Sequence, residues 1–366
     1  MTRRLVRLGS ILVACLPALS CTTPRHAAHG DAGTLLIVGG GLDNDSRPIY
    51  ERFVELASAR GPANVVIVTA ATGPQDIELT DKTEALRVWA PGVPTRGILR
   101  ETTTEDSVAA IDAASALLFT GGDQQRITAR YRPDDRDTPE WLAMRRLLAR
   151  GGVIAGCSAG DAMMGEWMLV GGGSAAALGI PPADAEERAS TVLGPRVARG
   201  MHFLPWAMTD SHFFERDRVG RLVAALEATG TRFGLGVGED GCVEVDLATG
   251  DLVGIGVSES LLVDAAHIAR DGAARRGLLA CVVEQGTRIN LLERLASVPP
   301  PPPPQTGTPR DVPVVEPGQN RQLASWRLFR CADRAGGECV RLALEGWQVT
   351  AWPNHDDGAA FEVGPR

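Results

Sequence analysis

Apolar residues in this chain gather in short unbroken runs that stop at glycine or polar turn residues. That pattern belongs to strands buried on both faces, because a half-exposed strand alternates instead. Residues 34–38 form one such run and end at Gly39-Gly40-Gly41; residues 65–69, 116–120 and 153–155 repeat it. Helical stretches follow, as at 48–59 and 139–149. Strands alternating with helices predict an α/β fold with a mainly parallel sheet flanked by helices. The triple glycine lacks the third glycine of G-x-G-x-x-G, and no P-loop occurs, so no nucleotide cofactor is expected. It reads instead as a tight strand exit at the carboxyl edge of the sheet, where such folds place their sites. Further on, residues 216–229 read as an amphipathic helix, and 233–237, 242–245 and 252–257 as short strands.

The ends of the chain break this pattern. Arg3, Arg4 and Arg7 precede an apolar stretch at 11–19 and then Ser20-Cys21, so residues 1–21 read as a signal peptide, too short in its apolar part to span a bilayer. Cys21 suits lipoprotein processing, with Cys15 as the alternative; either predicts an exported, membrane-anchored or secreted protein. Six prolines at 299–304 open a stiff linker that lasts to about residue 319. Beyond it, residues 320–366 carry Trp326, Trp347 and Trp352, enough for a small hairpin appendage and too little for a core of its own. The intervening 34–298 is the expected catalytic domain. Cys331 and Cys339 are spaced to close a loop around Gly336-Gly337 in an oxidising compartment. No C-x-x-C spacing suggests a metal.

Composition narrows the partners. The 37 basic against 45 acidic residues give a net charge of -8, which argues against general affinity for nucleic acid or an anionic membrane.

The candidate chemistry centres on Gly156-Cys157-Ser158-Ala159-Gly160, which follows the apolar run at 152–155 and precedes an expected helical segment at 161–169. This is G-x-S-x-G in a strand-turn-helix setting, where Ser158 projects as a nucleophile and the N–H of Ala159 opens a helix able to hold an oxyanion. Cys157 sits one place before the centre of the turn, which directs its side chain elsewhere. Serine needs a base, normally an imidazole oriented by a carboxylate. Of the six histidines, His26, His29, His267 and His355 lie in unsuitable segments; His202, between Met201 and Phe203, reads as a packed core residue, which leaves His212. For the acid, Glu239 after the 233–237 strand is favoured, with Asp240 as the alternative and Asp161, just past the nucleophile, as a weaker choice.

Four segments together resemble the cyanophycinase and aspartyl dipeptidase family of serine peptidases: Phe119-Thr120-Gly121-Gly122-Asp123-Gln124, the turn at 156–160, residues 210–221, and residues 234–240. The resemblance implies a fold similar to the class I glutamine amidotransferases (flavodoxin-like). It implies Ser158, His212 and Glu239 as nucleophile, base and acid, with Gly122 supplying the second oxyanion N–H. It further implies a substrate pocket lined by Gln124, Asp210, Ser211, Arg216, Arg218 and Arg221. In cyanophycinases these arginines suit a poly-aspartate chain bearing arginine, whose carboxylates a guanidinium fork can bind, while Asp210 would meet a substrate guanidinium. Ser211 replaces the family's usual glutamine, which leaves other aspartyl or isoaspartyl peptides open as substrates. A homodimer and a cofactor-free mechanism are implied too. The competing reading is a catalytically silent polymer-binding lipoprotein with the same fold. Residues 171–185, rich in small side chains, match no motif.

Overall fold

The computed structural model describes residues 32–302, 305, 308–311, 328–329, 332, 339–343, 347–354 and 358–365. The leader with Cys15 and Cys21, and Cys331 with its pairing to Cys339, lie outside the described residues. The first half of the fold runs β1 (Thr34–Val38), α1 (Arg47–Ser58), β2 (Val65–Val68), α2 (Gln75–Trp89), β3 (Thr95–Ile98), α3 (Thr104–Ala113), β4 (Ala116–Phe119), α4 (Gln124–Tyr131), α5 (Pro139–Ala149), β5 (Val153–Cys157) and the single turn α6 (Ala159–Ala162). Next come β6 (Trp167–Gly171), α7 (Ser174–Ala177), α8 (Ala185–Ser190), β7 (Arg196–Arg199), β8 (Ala207–Asp210), α9 (Val219–Thr229), β9 (Phe233–Val237), β10 (Gly241–Asp246), β11 (Asp251–Gly256) and β12 (Ser260–Asp264). The chain closes with β13 (Ala269–Asp271), β14 (Ala274–Val283), β15 (Arg288–Asn290), α10 (Leu291–Ala296), β16 (Arg310–Asp311), β17 (Val340–Ala343), β18 (Trp347–Pro353) and β19 (Ala359–Pro365).

The first sheet has the order β15-β11-β10-β1-β5-β4-β2-β3. Its heart, from β1 to β3, is parallel, and β10 joins β1 antiparallel. Helices cover both faces, which explains the unbroken apolar runs. Along β1, Leu36 and Val38 pack with Tyr50 and Phe53 of α1, while Leu35 and Ile37 turn the other way towards Leu147 and Ile154. Each fully buried aliphatic side chain of this kind contributes roughly 1.5–3 kcal/mol.

A second sheet, β16-β17-β18-β19-β14-β12-β9-β8, is antiparallel except at its two ends, where β8 with β9 and β16 with β17 run parallel. The sequence predicted strands here but not a second sheet. α9 lies on it, and its Leu222 and Leu226 share a core with Phe213, Val349, Phe361 and Val363. The C-terminal strands therefore do not hang apart as an appendage. β14 is ten residues long, and β19 pairs along its free edge. Having no core of their own, these strands bury their apolar face on α9 instead.

Two helical expectations change. The helix expected at 161–169 is one turn only, because Gly165 passes close to the Ala207 carbonyl and residues 167–171 leave as β6 to pair with β7. The helix expected from 216 begins at Val219, since Asp217 has φ 47°, outside the helical region. Its first eight residues are all buried, so it has no solvated face there.

Candidate active site

β1 and β5 are neighbours in the first sheet, and β9 and β10 carry the chain back past their carboxyl ends. The site forms where these ends meet. After Cys157 the backbone turns sharply: Ser158 has φ 54° and ψ -100°, a strained conformation for a non-glycine residue, which lifts its side chain out of the sheet edge. The turn closes only because Gly156 has no side chain; a Cβ there would lie 2.2 Å from the Gly160 carbonyl oxygen.

Ser158 Oγ and His212 Nε2 are 2.7 Å apart, and His212 Nδ1 is 2.5 Å from Glu239 Oε1. With Nδ1 protonated, the imidazole donates to Glu239, and its bare Nε2 accepts from the Ser158 hydroxyl. Such a chain can withdraw the hydroxyl proton as oxygen attacks an electrophile, then return it to a leaving group. His212 is itself strained, at φ 45°. Burial disfavours the imidazolium and holds the His212 pKa below the usual histidine value; hydrogen bonding to Glu239 opposes this, and the positive charge of Arg216 adds to the lowering.

Three consecutive carbonyls at the exit of β1 hold the segments that carry this chain. Val38 O accepts from Ser158 N–H at 3.0 Å, Gly39 O from His212 N–H at 2.6 Å, and Gly40 O from Asp240 N–H at 3.0 Å. Gly40, at φ +124°, lies against the imidazole; a Cβ on it would fall 2.3 Å from His212 Cε1. Gly41 stands beside Glu239. The triple glycine is thus a strand exit at the carboxyl edge, as expected, but also the bed of the hydrogen-bonded Ser158–His212 pair. The sequence signal was the glycine run itself; its proximity to residues 212 and 239 depended on long-range folding.

Neither alternative acid joins this hydrogen-bonded chain. Asp240 Oδ1 accepts from Ser46 Oγ at 3.1 Å. Asp161 is fully buried, and neither carboxyl oxygen meets a hydrogen-bond partner among the described residues. The nearby Thr209 hydroxyl donates at 2.6 Å to the Asp161 backbone carbonyl, so it leaves the carboxyl unsatisfied. Burial disfavours its charged form and drives the Asp161 pKa well above the carboxylate range. Cys157 lies in the core beside Leu36 and Val38, and burial pushes its thiol up to about 12. His202 is half-buried rather than packed into the core, since only its neighbours Met201 and Phe203 point inward.

Gly122 and Ala159 supply candidate oxyanion donors. Gly121 borders Ser158, and Gly122, at φ +133°, presses against Ala71 O, where a Cβ would lie 2.3 Å away. Among the described residues, the N–H groups of Gly122 and Ala159 meet no protein acceptor. Gln124 is anchored rather than free, its Nε2 donating to Leu169 O at 2.5 Å.

The expected arginine pocket divides. Asp210 is completely buried and is met by Arg221, with Nε at 2.8 Å from Oδ2 and Nη2 at 2.5 Å from Oδ1. Arg218 donates to Ser211 O at 2.5 Å and stands 3.4 Å from Asp210 Oδ1. A buried carboxylate requires such partners, so Arg218 and Arg221 brace the chain before α9 instead of projecting outward. The guanidinium that meets Asp210 is thus the protein's own. Ser211 is buried as well. Of the three arginines only Arg216 is exposed, and it lines a cavity of about 870 Å³.

No protein-family model matches the chain. Among curated proteins, the cyanophycinase of Synechococcus elongatus is 28% identical over 253 residues, covering 68% of this chain and 73% of its own length. That of Nostoc sp. is 27% identical over 277 residues, covering 71% and 86%. That of Geminocystis herdmanii is 28% identical over 213 residues, covering 57% and 72%. A solved peptidase from an acI-B1 Actinobacterium superposes with a TM-score of 0.50 at 18% identity, covering 72% of this chain and 98% of that one, a likeness of fold.

Proposed function

We propose, from its similarity to curated cyanophycinases at 27–28% identity, that the chain is a serine exopeptidase acting on cyanophycin, poly-aspartate carrying arginine on its side-chain carboxyls. The observation that carries the reading is the hydrogen-bonded chain from Ser158 through His212 to Glu239.

In the proposed mechanism, Ser158 Oγ attacks the scissile carbonyl while His212 Nε2 takes its proton. Glu239 fixes the tautomer and balances the imidazolium that forms. The N–H groups of Gly122 and Ala159 receive the developing oxyanion; one such donor is worth about 10²–10³ in rate. His212 then protonates the leaving amine. Water, deprotonated by the same imidazole, releases the acyl group from Ser158, and the product is a dipeptide of aspartate linked to arginine through its β-carboxyl. Arg216 is the arginine left to read a substrate carboxylate, while Arg218 and Arg221 support the loop bearing His212.

The test is to incubate purified protein and its Ser158→Ala variant with cyanophycin and follow dipeptide release by mass spectrometry. Release by the native chain alone is expected. Equal release from both would remove Ser158 from the mechanism, and release from neither would remove the substrate. Residues 1–21 support export with lipidation at Cys21; labelled palmitate in the native chain and its absence in Cys21→Ser would be the check.

A further inference from the structure

The segment at 171–185, which matches no motif, and the residues that follow it to Arg196 build one wall of a cavity beside the site. The cavity of about 870 Å³ is bounded by Gly172, Ser174, Glu187, Arg188 and Arg196, and by Arg216 from the loop after His212. Its size falls within the roughly 300–1,000 Å³ of small-ligand sites. The wall is tied to the catalytic loop. Arg221, which holds Asp210, also donates to Gly172 O at 3.0 Å. Ser174 Oγ donates to Asp217 O, and accepts from Arg221 N–H at 3.2 Å.

Charge gives the cavity its character. Arg188 spends its guanidinium on the carbonyls of Pro182 and Ala183. The guanidinium groups of Arg196 and Arg216 meet no carboxylate among the described residues, and neither does the Glu187 carboxylate meet a cation. Arg196 lies over Gly171, where a Cβ would stand 3.0 Å from its Nη1. Two open guanidinium groups and an open carboxylate in one cleft fit a ligand carrying both a carboxylate and a guanidinium.

We propose that this cleft is a second substrate subsite, which takes an arginyl-aspartate unit of the same polymer beyond the two units flanking the scissile bond. Arg196 binds the unit's α-carboxylate and Glu187 its guanidinium, with Arg216 at the boundary to the reaction centre. The inference rests on the proposed cyanophycin substrate. It adds a preference for chain length, which the reaction at Ser158 does not require.

The experiment measures kcat/KM on a two-unit oligomer, which ends before the cleft, and on oligomers of four or more units. Native protein should favour the longer substrates by about tenfold or more. Arg196→Gln and Glu187→Gln should each erase most of that preference while changing the two-unit rate by less than about twofold, and Arg196→Lys should restore part of it. Both residues are exposed, so the variants should fold. Equal losses on short and long substrates, or an unchanged preference in both variants, would overturn the subsite and leave the proposed reaction standing. If native protein cleaves none of these oligomers, the substrate assignment fails, and the subsite with it.

Discussion

Gly40 and His212 are in direct contact: the imidazole occupies the space that any side chain at position 40 would fill, 2.3 Å from where its Cβ would stand. Gly40→Ala should therefore displace the ring from Ser158. We expect kcat to fall by at least about tenfold with KM little changed, and slower labelling of Ser158 by a serine-directed fluorophosphonate. The positive φ adds about 1–2 kcal/mol of backbone cost, readable as a lowered urea midpoint. Unchanged kcat would separate the glycine from the proton-transfer pair.

The pH profile follows from the environment of His212. Burial, assisted by Arg216, lowers its pKa, so the neutral base persists to more acid conditions and the acid limb of kcat/KM should lie below about 6.5. Arg216→Gln removes a lowering charge, and the limb should move up. Glu239→Gln removes a raising partner; the limb should move down and the plateau should drop by about 10²-fold or more. Opposite displacements in the two variants are the diagnostic result, and a common direction would contradict these charge assignments.

Arg216 and Arg221 should separate stability from substrate binding. Arg221→Ala strands the buried Asp210 carboxylate and should cost about 3–5 kcal/mol in urea unfolding. Arg216→Ala, on an exposed side chain, should cost less than about 0.5 kcal/mol yet raise KM severalfold. The reverse order would invert their roles.

Asp161 yields a linkage prediction. Its folded pKa is raised above its unfolded value, so its contribution to stability is full below the ordinary carboxylate range and is lost as pH rises from about 4 upward. Asp161→Asn, neutral at every pH, should remove that slope. The native chain should lose thermal midpoint relative to the variant as pH increases, and parallel curves would show that the carboxyl is not held neutral.

Cys157 should be chemically silent despite its place next to Ser158. Its thiol is buried and pushed up to about 12, so iodoacetamide at pH 7.5 should leave activity within about 20% of native over an hour, by the slowness of an un-ionised thiol. Rapid inactivation with modified Cys157 would reopen a thiol mechanism.

Much of the parallel sheet was legible because a strand buried on both faces writes its burial directly into an apolar run: residues 34–38 match β1 end to end, and 139–149 match the flanking helix α5. The elbow at Ser158 was legible for a related reason, since crowded backbone admits only glycine at 156 and 160. What escaped was set by distant partners. Arg216, Arg218 and Arg221 look equivalent along the chain, yet only Asp210, turned fully inward by β8, decides which of them remain available. The one-turn α6 was hidden by the approach of Gly165 to Ala207, a contact between segments forty residues apart. The C-terminal strands read as an appendage because nothing local reveals the free edge of β14.

The three carbonyls at the exit of β1 have a mechanical consequence. Segments from widely separated parts of the chain all hydrogen-bond to one short ruler, Val38 to Gly40. Breathing of either sheet then carries the hydroxyl, the imidazole and the carboxylate loop as a group. Their mutual spacing draws on the stiffness of three adjacent peptide units as well as on the two sheets.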